Sequence, residues 1–192
     1  MSVSVPTDTE PPLRLFTRKD YHAMAEASIL SERDRVELIK GRIISMLPIG
    51  TWHHSASMRV DRVFQAAYGA TALISCGNSV ALGDDSEPQP DIMVLRWRDD
   101  FYAHAQPEAQ DVILLVELSD SSRAFDLGAK LDLYAENGIR DYWVVDTKGK
   151  CVRVFRDPKE GRYVESSIFH SSDTIPLPEC AGKTVAVTDL GV

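Results

Sequence analysis

Val112 to Val116, "VILLV", is an unbroken apolar run that ends in a carboxylate, Glu117. A short continuous run of this kind, followed by serines and then a helical pattern, predicts a strand, and a charge at the end of one so apolar must be paired, hydrogen-bonded or metal-bound. The polarity pattern on either side divides the chain into further short elements. Thr17, with Asp20 three residues on, predicts a capped helix to about Ala27. "RVELIKGRIISML" predicts a hairpin turning at Lys40-Gly41. In "WHHSASMRVDRVFQAAYG", Met58, Val60, Val63, Phe64 and Ala67 recur near helical spacing and Gly69 acts as a stop, so a packed helix is expected. "TALIS", "SVAL" and "DIMVLRW" read as short strands, followed by a loop from Asp99 to Gln110. A helix from about Ala124 to Glu136 closes at Asn137-Gly138. "DYWVVD" and "CVRVFRD" read as strands joined across Lys148-Gly149. "RYVESSIFH" and "KTVAVTDL" add edge strands. Strands grouped around one crossover helix predict an α/β fold with a mixed sheet.

Composition narrows the class. The chain has 192 residues, 44% hydrophobic and 26% charged, which is ordinary for a globular protein. Neither an internal repeat nor a linker follows the proline-rich stretch Pro6 to Pro12, so the expected organisation is a flexible arm, residues 1–15, and one domain, residues 16–192. No run approaches a membrane span, and "MSVSVPTDTEPPLRL" lacks the apolar centre of a secretory signal, so the expected location is the cytoplasm. Cys76, Cys151 and Cys180 are odd in number and widely spaced, which suggests free thiols rather than disulfides or a zinc site. The net charge of -8 argues against nucleic-acid binding by bulk electrostatics but leaves room for a local basic patch. Neither a glycine-rich phosphate loop nor a Ser-His-Asp pattern occurs.

The candidate chemistry lies in the acidic residues. If Asp91 to Arg96 and Val112 to Leu118 are antiparallel neighbours, a register of Leu95 with Ile113 also pairs Met93 with Leu115 and Asp91 with Glu117. Period-2 alternation then places both carboxylates on one face, about 5 Å apart at Cβ. Like charges so close call for a proton or a hard cation between them, and Mg2+ or Mn2+ suits such a pair. With Leu127, Leu131 and Tyr134 centring the apolar stripe of the following helix, Lys130 lies about 60° to one side and Asp126 about 100°. A boundary lysine can lay its methylenes on the core and carry its ammonium to Glu117.

Pro90-Asp91, a loop, and Glu117 at the end of an apolar strand resemble the PD-(D/E)XK nuclease superfamily. The fuller pattern is "VELIKGRI", His53 before a helix, "QPDIMVL" and the long block "VELSDSSRAFDLGAKLDLYAENGIRDYWVVD". From Phe16 on, it is similar to the Uma-type family of putative restriction endonucleases. The resemblance implies a restriction-endonuclease-like fold and a Mg2+- or Mn2+-dependent endonuclease acting on DNA. It implies Asp91 and Glu117 as metal ligands and Lys130 as the catalytic lysine, displaced from the usual motif position that Ser119 fills. It also suggests Glu37 as a further acidic site member. Arg33, Arg35, Arg42, Arg96 and Arg123 are candidate guides for the nucleic-acid backbone.

Plainer readings stand beside these. Asp91 suits a turn before a strand, Glu117 a structural pair with Arg123 or Lys130, and Lys130 with Asp126 an exposed i,i+4 pair. Glu37 fits a half-buried strand, and His53 or His54 a helix start or core position. Tyr134, Tyr142 and Trp143 suit a core, and the serines Ser119, Ser121 and Ser122 a strand-to-helix turn with an N-cap. At the level of function, the alternatives are a noncatalytic interaction protein that keeps the nuclease fold, as a homodimer, and a nuclease for RNA or a small phosphodiester.

Overall fold

The computed structural model describes residues 12–31 and 33–192, so most of the predicted N-terminal arm, residues 1–11, lies outside the described residues. Along the chain, α1 (Arg18–Glu26) is followed by a hairpin of β1 (Val36–Ile39) and β2 (Arg42–Ser45), then α2 (Thr51–Tyr68), β3 (Ala72–Cys76), β4 (Ile92–Arg96) and β5 (Val112–Ser119). Two short helices follow, α3 (Arg123–Asp126) and α4 (Ala129–Glu136), then β6 (Asp141–Asp146), β7 (Cys151–Lys159), β8 (Arg162–His170), β9 (Thr174–Pro176) and β10 (Thr184–Ala186). The predicted capping box holds: the Thr17 hydroxyl accepts from Asp20 N, and the Asp20 carboxylate accepts from Thr17 N.

Strands β3 to β8 form a six-stranded sheet in chain order. Every neighbouring pair is antiparallel except β5 and β6, which run parallel across the α3–α4 crossover. Every residue of β5 is buried, as its apolar run requires. Its Leu114, Val116 and Leu118 pack on the face covered by α2, with Val60, Phe64 and Trp143. Leu115 points the opposite way, toward Leu133, Tyr134 and Tyr142. Period-2 alternation therefore sends Glu117 and Ser119 toward the α3–α4 side. The β1–β2 hairpin is tied down by Leu38, whose backbone exchanges hydrogen bonds with Glu87. Glu87 is itself buried and accepts from Arg18, His22, Gln106 and Ser79, which fastens α1 to the same loop.

Several sequence expectations are corrected. The predicted register holds at Met93 with Leu115, but a bulge between Val94 and Leu95 makes Leu95 pair with Val112 rather than Ile113. Such an extra residue bends the strand at the end away from Glu117 and leaves the pairing beside Asp91 intact. "SVAL" is not a strand: Ala81 and Leu82 form only isolated bridges, to Glu108 and Ser86. "KTVAVTDL" does not extend the main sheet. Its first part, β10, pairs with β9, and Val187–Leu190 is a 3-10 turn whose Val187 and Leu190 fill the α2 side of the core.

The predicted helix from Ala124 to Glu136 is interrupted at Leu127-Gly128. Gly128 has φ -124° and ψ -100°, and a Cβ there would lie 2.8 Å from the Ala124 carbonyl oxygen. The glycine permits the close approach that redirects the chain. The angular positions expected for Asp126 and Lys130 on a continuous helix therefore fail, and both side chains are buried.

Candidate functional site

Strand β5 ends where its apolar run gives way to Glu117, and other elements bring polar groups to that point. Asp91 precedes β4 by one residue, and the pairing of Ile92 with Val116 sets it opposite Glu117. Its Oδ2 accepts from Leu118 N at 2.7 Å, while its backbone N approaches Glu117 Oε2 at 3.4 Å. Strand β1 contributes Glu37, only 3% exposed, whose Oε2 accepts from Gln89 N at 3.0 Å. Lys130, from α4, places Nζ 2.9 Å from Glu117 Oε1 and 3.3 Å from Glu37 Oε2. The structure thus brings together all four candidates, Asp91, Glu117, Lys130 and Glu37, on the wall of one cleft.

Three further residues belong to this cluster. Tyr134, read from the sequence as a core aromatic, donates to Glu117 Oε1 at 2.8 Å. Its spacing of four residues from Lys130 was the available signal, because such residues share a helix face. His53, near the start of α2, lies with Nε2 2.9 Å from Asp91 Oδ1. Asp126 is 2% exposed and accepts from Ser122 Oγ at 2.5 Å. That bond replaces the expected N-cap: Ser122 precedes α3 but makes no capping hydrogen bond. Ser119, in the usual lysine position of the motif, is fully buried, and its Oγ has no partner among the described residues.

Charge is out of balance here. Burial pushes the Glu117 carboxyl well above its usual range; Lys130 opposes this, and Asp91, Asp126 and Glu37 reinforce it. Burial also raises Asp126. For Lys130 burial acts downward, yet Glu117 and Glu37 overcome it and hold the ammonium charged. The hydrogen bond to Asp91 raises His53, against burial. Lys130 and His53 thus stand among four carboxylates, Lys130 with Glu117, Glu37 and Asp126 and His53 with Asp91.

This surplus of hard oxygen donors fits a divalent cation. Among the described residues, however, no group of three or more His, Cys, Asp and Glu side chains is arranged to hold a metal ion. If a cation binds here, Asp91 and Glu117 would be its protein ligands, with water and substrate oxygens completing the shell of a hard ion.

The candidate basic guides do not assemble around the cleft. Only Arg35 lines it. Arg96 makes a double ion pair with Glu179, with N–O distances of 2.7 Å. Arg123 pairs with Asp146 at 2.8 Å, not with Glu117. Arg33 and Arg42 are exposed and outside the cleft.

The parallel β5–β6 crossover in an otherwise antiparallel sheet, with acidic groups converging at the end of β5, defines a restriction-endonuclease-like α/β protein. The family model Uma2, described as "Putative restriction endonuclease", matches residues 18–188, and the chain belongs to that family. Among solved structures, it is similar to a "putative nuclease belonging to DUF820" from Anabaena variabilis ATCC 29413. The identity is 18%, the match covers 86% of this chain and 94% of that one, and the TM-score is 0.65. The type IIG restriction endonuclease BpuSI aligns at 12% identity over 79% of this chain and 17% of its own, with a TM-score of 0.40, too low to bear on the argument. No curated protein matches the sequence. Among the described residues, no helix is long and apolar enough to cross a membrane.

Proposed function

We propose that the protein is an endonuclease that hydrolyses DNA phosphodiester bonds with Mg2+ or Mn2+ held by Asp91 and Glu117. The observation that carries this reading is the convergence of Asp91, Glu117 and Lys130 in a single cleft, with more carboxylates than cations. When bound, the cation supplies Lewis-acid polarisation of the phosphate and an activated water. Lys130, its ammonium anchored by Glu117 and Glu37, would supply a fixed positive charge that offsets the charge on the phosphate. Glu37 acts through Lys130 as a positioning residue. Tyr134 and the Asp91 backbone N hold opposite oxygens of Glu117, which fixes the plane of its carboxylate. His53 and Leu118 N do the same for Asp91. We assign this activity to residues 16–192 and to the cytoplasm, in a monomer or a homodimer.

The test is nicking or linearisation of supercoiled plasmid with Mg2+ or Mn2+. Cleavage by the wild type and its loss in Glu117→Gln are expected. Equal cleavage by both proteins would remove the assignment. Failure of both on DNA, with cleavage of RNA, would change the substrate. Failure on both nucleic acids would favour the noncatalytic interaction protein.

A further inference from the structure

The cleft has two unlike walls. One carries the carboxylates and Lys130. The other is formed by β2, the segment before α2 and the first turn of α2, with Ile44, Leu47, Pro48, Ile49 and Trp52 facing the same space. Leu47 is 56% exposed and Ile49 53%, although both border the cleft that holds the buried carboxylates and Lys130. Exposed apolar side chains scattered singly need no explanation, but a contiguous set at a functional cleft marks a binding surface. The Leu47 carbonyl accepts from Arg35 at 3.3 Å, which tethers this segment to the cleft edge. Trp52 is fixed through its indole N–H to the Gly191 carbonyl at 3.3 Å.

Charge selects the occupant. Arg35, His53 and Lys130 are the basic side chains that line the cleft, and Lys130 is already held by Glu117 and Glu37, with His53 on Asp91. Only Arg35 faces it without a carboxylate partner among the described residues. A duplex presents two phosphate strands and is normally met by several lysines and arginines. A single strand can also be held through its bases, which lie on apolar or aromatic side chains, a contact that bases stacked in a duplex do not offer. The cleft measures about 380 Å3, near the small end of ligand pockets. Half-buried Gln89 also lines the cleft, and its side-chain amide makes no hydrogen bond among the described residues, so it offers a donor and an acceptor to a base edge.

We infer that the Leu47–Trp52 wall is a subsite for one unpaired DNA base, and that the preferred substrate is single-stranded or locally unpaired DNA with its scissile phosphate at Asp91 and Glu117. The inference rests on the nuclease reading above and specifies its substrate. A base in an intact duplex would first have to leave the stack, at a cost that an unpaired base does not carry.

Two measurements separate this inference from the reading beneath it. The first compares cleavage of one labelled oligonucleotide, single-stranded or annealed to its complement, by wild type and by Leu47→Ser/Ile49→Ser. Both substitutions are at exposed positions, and thermal melting confirms that the variant is folded. Wild type should cleave the single strand at least about tenfold faster, about 1.4 kcal/mol of discrimination, and the variant should lose most of that preference. Equal wild-type rates, or an unchanged preference in the variant, would overturn the subsite while leaving the nuclease reading in place. The second measures binding of the same oligonucleotides to Glu117→Gln by fluorescence anisotropy. If wild type cleaves nothing, the nuclease reading fails and binding alone decides the subsite. Tighter binding of the single strand, lost in the added Leu47→Ser/Ile49→Ser background, supports it; equal affinities overturn it.

Discussion

Replacing Lys130 by methionine tests both the electrostatics of the site and the reason a carboxylate can sit at the end of β5. Its ammonium lies 2.9 Å from Glu117 and 3.3 Å from Glu37, and both glutamates are 3% exposed. Methionine keeps much of the packing but leaves both carboxylates without a cation. Removing one partner of a buried pair typically costs about 3–5 kcal/mol. The alternative open to the protein is to protonate a glutamate. From an ordinary value near 4.3 to pH 7 this costs about 3.7 kcal/mol at 1.36 kcal/mol per unit, so the two estimates agree.

The pH dependence follows from the direction of the shift. Burial already raises Glu117, and loss of Lys130 removes the influence that opposes the rise. A carboxyl with a folded value above its unfolded one contributes stability fully present below the unfolded value and lost as pH rises through the folded value. In chelator, Lys130→Met should therefore approach wild-type stability near pH 4.5 and fall about 3–5 kcal/mol short at pH 7 and above. At about 2–4 °C per kcal/mol for a chain of this size, the melting temperature should drop by about 10 °C at pH 7. Adding Glu117→Gln should recover part of the loss. Denaturant unfolding followed by tryptophan fluorescence at several pH values is the assay. A loss under about 0.5 kcal/mol at pH 7, the size of an exposed helical pair, would refute the reasoning, as would a loss that does not change with pH.

Other outcomes follow from particular contacts. Mn2+ or Mg2+ at one hundred times Kd should stabilise wild type by about 2.7 kcal/mol, a rise in melting temperature of about 5–11 °C, and much less in Asp91→Asn; an equal rise in both would place the ion elsewhere. Hydrogen bonds from Gln106, His22 and Arg18 hold the Glu87 carboxyl below its usual range despite burial. Its stabilisation is thus present above the unfolded value and lost as pH falls through the folded one. Glu87→Gln should cost about 1–3 kcal/mol at pH 7, with the difference from wild type shrinking on acid titration as the pH falls below the usual carboxylate range. Gly128→Ala should destabilise by about 1–3 kcal/mol, because its Cβ would meet the Ala124 carbonyl oxygen at 2.8 Å; a neutral result in thermal melting would show that the α3–α4 break tolerates a side chain.

The sequence by itself determined what local rules control. Thr17 with Asp20 specified the cap of α1, Lys40-Gly41 the hairpin turn, and the apolar run before Glu117 a strand. Period-2 alternation was enough to align Met93 with Leu115 and to bring Asp91 beside Glu117. The long block from Glu117 to Asp146 made the family legible, since its residues serve the site and the packing together. What the sequence missed depended on groups distant along the chain or on a small backbone change. A bulge at Ile113 leaves no trace in an apolar run, because every residue there is buried whatever its register. The expected helix from Ala124 to Glu136 runs through Gly128, yet that glycine divides it, and the break turned Lys130 from an expected boundary position into the buried bridge between Glu117 and Glu37. Glu37 and His53 reach the cleft only because β1 is pinned to the Glu87 loop and α2 starts beside Asp91. The balance of charge and the apolar wall are collective properties of several elements, so only the tertiary structure decided them.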